Sequence, residues 1–191
     1  FELAPRRPDL CISGINYGEN IGMTISASGT VGAALEAAAN GIPALAISQE
    51  APHVQHAAHD YGDLDWTTAS AVTRLIAERV LRNGLPAQVD ALNVNVPSDA
   101  TLHTEIRPSI QSRQQHVYFT RSQRSDLTRP FSLPLKSTVD LDTLEPDSDI
   151  QALLRDRVIS VSPLTGSLSA GIGLDVLSHY ARSTGLTSEL T

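Results

Sequence analysis

The stretch 8-PDLCISGINYGEN-20, continued by 28-SGTVGAALEAAAN-40 and 43-PALAIS-48, decides the fold. Pro8 and Asp9 form a breaker, and Leu10, Cys11 and Ile12 behind it read as a short buried strand. Small and polar residues then run from Ser13 to about Ser28, the composition of a loop. Thr30 to Asn40 is rich in alanine, the strongest helix former, and Asn40-Gly41 stops the helix. Pro43 opens a second buried strand, Ala44 to Ser48. Strand, loop, helix and strand in that order make one right-handed crossover of a parallel sheet.

The same pattern continues. Residues 49–64 form a long polar loop containing His53, His56 and His59. Asp65 or Thr67 caps a second helix that runs to about Asn83 and ends at Gly84. Its apolar positions Ala69, Val72, Ile76 and Val80 recur at helical spacing, with Leu75 beside them. Ala91 to Val96, closed by Pro97, is a third strand. The expected class is therefore α/β, a Rossmann-like three-layer sandwich with a mainly parallel sheet. After residue 103 the pattern changes. Residues 104–146 mix Arg, Ser, Gln and Pro, and HVYFT and FSLPL read as the arms of a protruding β-hairpin. Pro108, Pro130 and Pro134 then belong at edges or turns. Residues 147–191 return to the core: DSDIQALLR as a short helix with an acidic first turn, VISVSPL as a last strand, and Gly173 to Arg182 as a terminal helix.

A net charge of −7 argues against a partner that is a nucleic-acid polymer, because no bulk positive field draws phosphates in. If the ligand is an anion, a helix N-terminus or a metal ion must overcome that field locally. No apolar run is long enough to span a membrane. The one cysteine, Cys11, sits in an apolar run and excludes a disulfide framework, so a reducing, cytoplasmic setting is expected. In open α/β sheets ligands bind where strands hand over to helices. There, Ser28, Gly29 and Thr30 fall at a helix start, whose unpaired N–H groups and dipole favour a phosphate. Asn16 and Asn20 offer neutral oxygens acceptable to Mg²⁺, Mn²⁺ or Ca²⁺, though an asparagine alone cannot hold a cation. The bland alternative stands beside this reading: Gly, Ser and Asn make turns, and a Ser before a helix is a cap. The loop is neither a Walker A sequence nor G-x-G-x-x-G.

At these residues the chain resembles the SurE family, the survival-protein nucleotidases that hydrolyse nucleoside monophosphates. The resemblance is carried by PDLCISGINYGENIG, SGTVGAALEAAANGIPALAIS, ALNVNVP and DSDIQALLRDRVISVSPLT, in that order and spacing. It implies a phosphomonoesterase dependent on one divalent metal ion, acting on nucleoside monophosphates and on short polyphosphate. It also implies a homodimer or homotetramer in which the hairpin and the C-terminal segment pack on neighbouring subunits. By position, Asn16 is the metal ligand, and Asn20, Ser28, Gly29 and Thr30 surround the phosphate. Members of the family also carry an NDDG strand and a later serine that complete the metal site. No Asp-Asp pair occurs in the 191 residues, and twelve residues precede Ser13. The general base is expected among those aspartates, so the chain is expected to be incomplete and inactive alone. The alternative is a non-catalytic phosphate- or nucleotide-binding remnant lacking the aspartate ligands.

Other features have structural readings beside functional ones. The three histidines of the 49–64 loop resemble zinc ligands by type but read as a solvated loop or lid. Tyr61 and Trp66 are packing anchors or nucleoside contacts, and Tyr118 and Phe119 interface residues or stacking platforms. Arg121, Arg124 and Arg129 are a solvated basic face or a phosphate-attracting cluster. Asp147 and Asp149 open a helix, where carboxylates stabilise the dipole. His103, His116 and His179 receive no role.

Overall fold

The computed structural model describes residues 4–51, 64–119, 126, 128, 135–137, 139–167, 169 and 173–184. Among them are strands β1 (Cys11–Tyr17), β2 (Ala44–Gln49), β3 (Ala91–Val96), β4 (Ile106–Pro108), β5 (Val117–Phe119), β6 (Leu135–Ser137) and β7 (Ile159–Leu164). The helices are α1 (Gly29–Ala39), α2 (Thr67–Asn83) and α3 (Leu174–Ser183). One sheet has the order β1-β2-β3-β7-β4. β1 with β2 and β2 with β3 are parallel, β7 is antiparallel to β3, and β4 runs parallel to β7 at the edge.

Every residue of β2 is buried, as expected of a strand with neighbours on both sides and a helix over each face. Alternation along β2 and β3 separates the two helices. Leu45, Ile47, Val94 and Val96 meet Ala69, Val72, Ile76, Ala77 and Val80 of α2. On the other face, Ala44, Ala46 and Ala91 meet Val31 and Ala34 of α1, with Leu164. Small side chains on both partners bring α1 close to the sheet. The fold is thus a Rossmann-like α/β sandwich with a mostly parallel sheet. Gly84 closes α2 at φ 74°, and the Asp65 carboxylate accepts from the Thr67 N–H at 2.8 Å at its start.

The structure corrects the sequence reading in three places. The segment from Ser13 to Tyr17 is strand, not loop: Asn16 pairs with Ser48 and Tyr17 with Gln49 across a register shift after Ser13. Gly14 permits that shift, at φ 127°, where a Cβ would meet the Ile47 carbonyl. Second, Ile106–Pro108 is not part of the hairpin but extends the main sheet, with Pro108 on its edge strand. Third, the short helix after Asp147 is π-helical over Gln151–Arg155, and Asp149, which stands at its start as expected, is wholly buried. β5 and β6 pair antiparallel, β6 beginning at the last residue of the expected FSLPL arm. Among the described residues no helix is long and apolar enough to cross a membrane.

Candidate functional site

The carboxyl ends of β1, β2 and β3 and the start of α1 form one edge of the sheet. A six-residue 3₁₀ turn, Gly22–Ala27, delivers the chain to Ser28. Ser28 is the N-cap of α1, and its Oγ accepts from the Val31 N–H at 3.2 Å. Its O–H proton is still a donor, since a hydroxyl accepts and donates at once. Among the described residues the Gly29 and Thr30 N–H groups have no protein partner. They stand in the first turn of α1, where the helix dipole is positive.

The Thr30 hydroxyl donates to Asn16 Oδ1 at 3.2 Å, so the helix start and the strand asparagine are neighbours. Asn16 Nδ2 donates to the Gly18 carbonyl at 2.7 Å, which fixes the amide with its oxygen toward α1. That oxygen has a second lone pair. Asn20 is held by polar side chains of two strands, β2 and β3. Its N–H donates to Asn95 Oδ1, its Nδ2 donates to Ser48 Oγ, and its carbonyl accepts from Asn93 and Asn95 Nδ2, all at 2.8–2.9 Å. Ser48, Asn93 and Asn95 are fully buried. Asn20 is therefore a structural pivot, its side-chain Nδ2 committed to Ser48.

Glu19, the loop's one carboxylate, is hydrogen-bonded through Oε1 to His116 Nε2 at 2.7 Å, and both side chains are 4% exposed. No sequence signal joined these residues, which lie 97 positions apart. His116 thus has the structural partner that the sequence did not suggest. Farther along the edge Glu50 accepts from Arg157 at 2.6 and 2.9 Å and from the Ser98 N–H and hydroxyl. Burial pushes the Glu50 carboxyl up, but these four donors outweigh it and hold it below its ordinary value. Asp99 pairs with the same guanidinium. Tyr17 and Trp66 lie with ring centroids 6.3 Å apart at a tilt of 54°, so Trp66 packs on Tyr17.

Among the described residues no three carboxylate, histidine or cysteine groups gather in a metal-holding arrangement. Asn16 supplies one neutral oxygen and Glu19 is turned to His116. The donor set present does not amount to a divalent-cation site, although Asn16 is oriented to contribute to one. His53, His56, His59, Tyr61, Arg121, Arg124, Arg129 and the side chain of Phe119 lie outside the described residues. His103 and His179 are exposed, as is Tyr118 on β5.

Comparison with known proteins follows the same lines. Residues 1–125 match the family described as Survival protein SurE. The 5'-nucleotidase SurE of Thermococcus gammatolerans is 35% identical over 171 residues, covering 90% of this chain and 63% of that protein. The 5'-nucleotidase SurE of Archaeoglobus fulgidus is 36% identical over 181 residues, covering 94% and 67%. A third, from Methanothermobacter thermautotrophicus, is 50% identical over 100 residues, covering 51% and 38%. The crystal structure of SurE protein from Aquifex aeolicus superposes with a TM-score of 0.67 at 26% identity, covering 94% of this chain and 66% of that one. The chain thus spans less than two thirds of the length of the first relatives it matches, 38% and 63%.

Proposed function

The chain belongs to the SurE family, and from that premise we propose that it forms the phosphate-holding part of a nucleotidase that hydrolyses nucleoside monophosphates to nucleoside and phosphate. The observation that carries this is the Thr30–Asn16 hydrogen bond, which sets the open N–H groups of α1 beside an aimed carbonyl oxygen. Gly29 and Thr30 N–H and the Ser28 O–H receive phosphoryl oxygens, and they strengthen as negative charge builds there in the transition state. Because these donors are fixed by the fold, little reorganisation accompanies the reaction. Short polyphosphate presents the same terminal group and falls within the proposal.

A divalent ion, Mg²⁺, Mn²⁺ or Ca²⁺, belongs to the same reading, with Asn16 its ligand from this chain. So do a cytoplasmic location and a homodimer or homotetramer built with the β5–β6 hairpin and α3. The apolar side chains Leu174, Val176, Leu177 and Tyr180 of α3 are all exposed, which suits a helix that packs on another subunit. The second reading, a phosphate- or nucleotide-binding remnant, is favoured by the lack of a metal-holding group of acidic side chains among the described residues. Titration calorimetry with a nucleoside monophosphate and with its nucleoside tests the common core of both. Binding of the monophosphate alone, weakened about ten-fold in Thr30→Val by loss of one hydrogen bond, is expected. Equal affinity for the nucleoside would overturn the phosphate reading. Phosphate release by the complete reading frame then separates enzyme from remnant.

A further inference from the structure

The turn that carries the chain from Asn20 to Ser28 is held by residues remote in sequence. Asp149, wholly buried, accepts from the Gly22 N–H through Oδ2 at 2.9 Å. Its Oδ1 accepts from the N–H groups of Ser112 at 2.9 Å and Ile150 at 2.8 Å. The Gly22 carbonyl accepts from Gln111 Nε2 at 3.1 Å, and the Met23 N–H donates to the Gln114 carbonyl at 2.9 Å. Gly22 sits at φ 56°, and a Cβ there would meet the Gln114 carbonyl and the Ile150 side chain. Ile21, also fully buried, packs with Ile150 and Leu153. Burying a carboxylate is costly unless donors surround it, and here all three recorded donors are backbone N–H groups from three separate segments. Burial pushes the Asp149 carboxyl up, against those three donors.

We propose that Asp149 is a positioning residue for the phosphate site: by holding Gly22 it fixes the 3₁₀ turn, and with it the start of α1. Asp149 touches no substrate. It acts through Gly22, Ser28 and the helix start that Ser28 caps. The proposal rests on the reading above for what the site binds, but the clamp stands on its own hydrogen bonds.

Asp149→Asn keeps the side chain's size and takes away one acceptor, and Gly22→Ala attacks the other half of the clamp. Ile76→Ala, in the α2 core, is the control for destabilisation elsewhere. Amide hydrogen exchange and titration with inorganic phosphate are followed by NMR on the full chain. In both clamp variants, exchange at Ser28 and Val31 is expected to accelerate about ten-fold relative to α2, the equivalent of one lost hydrogen bond to a charged acceptor. Phosphate affinity is expected to fall by a similar factor. Ile76→Ala is expected to speed exchange in α2 and leave phosphate affinity as it was. Unchanged exchange at Ser28 and Val31 in Asp149→Asn overturns the proposal, as does faster exchange with unchanged phosphate affinity. A parent chain that binds no phosphate removes the reading of the site instead; accelerated exchange in the variants still supports the clamp.

Discussion

Strands β2 and β3 present two faces of opposite character. Leu45, Ile47, Val94 and Val96 point to α2 and bury apolar area against five of its side chains. Ser48, Asn93 and Asn95 lie on the other face and are fully buried. There the chain from Asn20 covers the sheet instead, tied down by hydrogen bonds. The apolar face is non-directional and tolerates repacking. The polar face is directional, and each amide has a specific partner to orient. The first supplies stability, and the second supplies the position of Asn20, from which the chain runs on to the helix start.

The largest effect should come from the apolar face. Leu45→Ala is expected to cost about 2–5 kcal/mol in denaturant unfolding, with phosphate affinity unchanged. A fall in affinity would break the division between faces. Asn95→Leu should be next, about 1–3 kcal/mol for leaving the Asn20 N–H unpaired. Unlike Leu45→Ala it should also weaken phosphate binding, which calorimetry reads. The ion pair between Glu50 and Arg157 sharpens the comparison at the rim. Arg157→Met is expected to cost about 1–2 kcal/mol, between exposed and buried pairs. Glu50 is held below its ordinary value of 4.5, so it contributes stability above that pH, lost as pH falls through the folded value. Arg157→Met should flatten that acid limb in unfolding curves followed from pH 7 downward. Leu81 of α2 is 56% exposed, and Leu81→Lys should change stability by less than about 0.5 kcal/mol.

The apolar face was legible in the sequence. Ala69, Val72, Ile76 and Val80 repeat at helical spacing, and β2 and β3 are short apolar runs between breakers, so local pattern and tertiary place agree. The candidate site was legible in part. SGIN-x-G-x-N and SGTV mark where the chain turns, and the hydrogen bond between Thr30 and Asn16 brings those two motifs together. The strand character of Ser13 to Tyr17 was hidden because Gly14 and Asn16 have turn chemistry, and pairing with β2 overrides it. The burial of Asp149 was hidden because an aspartate opening a helix looks the same whether it faces water or three backbone donors. The pairing of Glu19 with His116 has no local signature at all, since a contact across 97 residues is set by the fold.

The central claim is that the first turn of α1 and Asn16 form one receptor for a phosphate group. Titration of the ¹⁵N-labelled chain with inorganic phosphate tests it most directly. Saturable shifts at the Gly29 and Thr30 amides and the Asn16 side-chain amide are expected, with Val72 and Val80 of α2 still. Gly29 and Thr30 resonances that stay in place at saturating phosphate would contradict it.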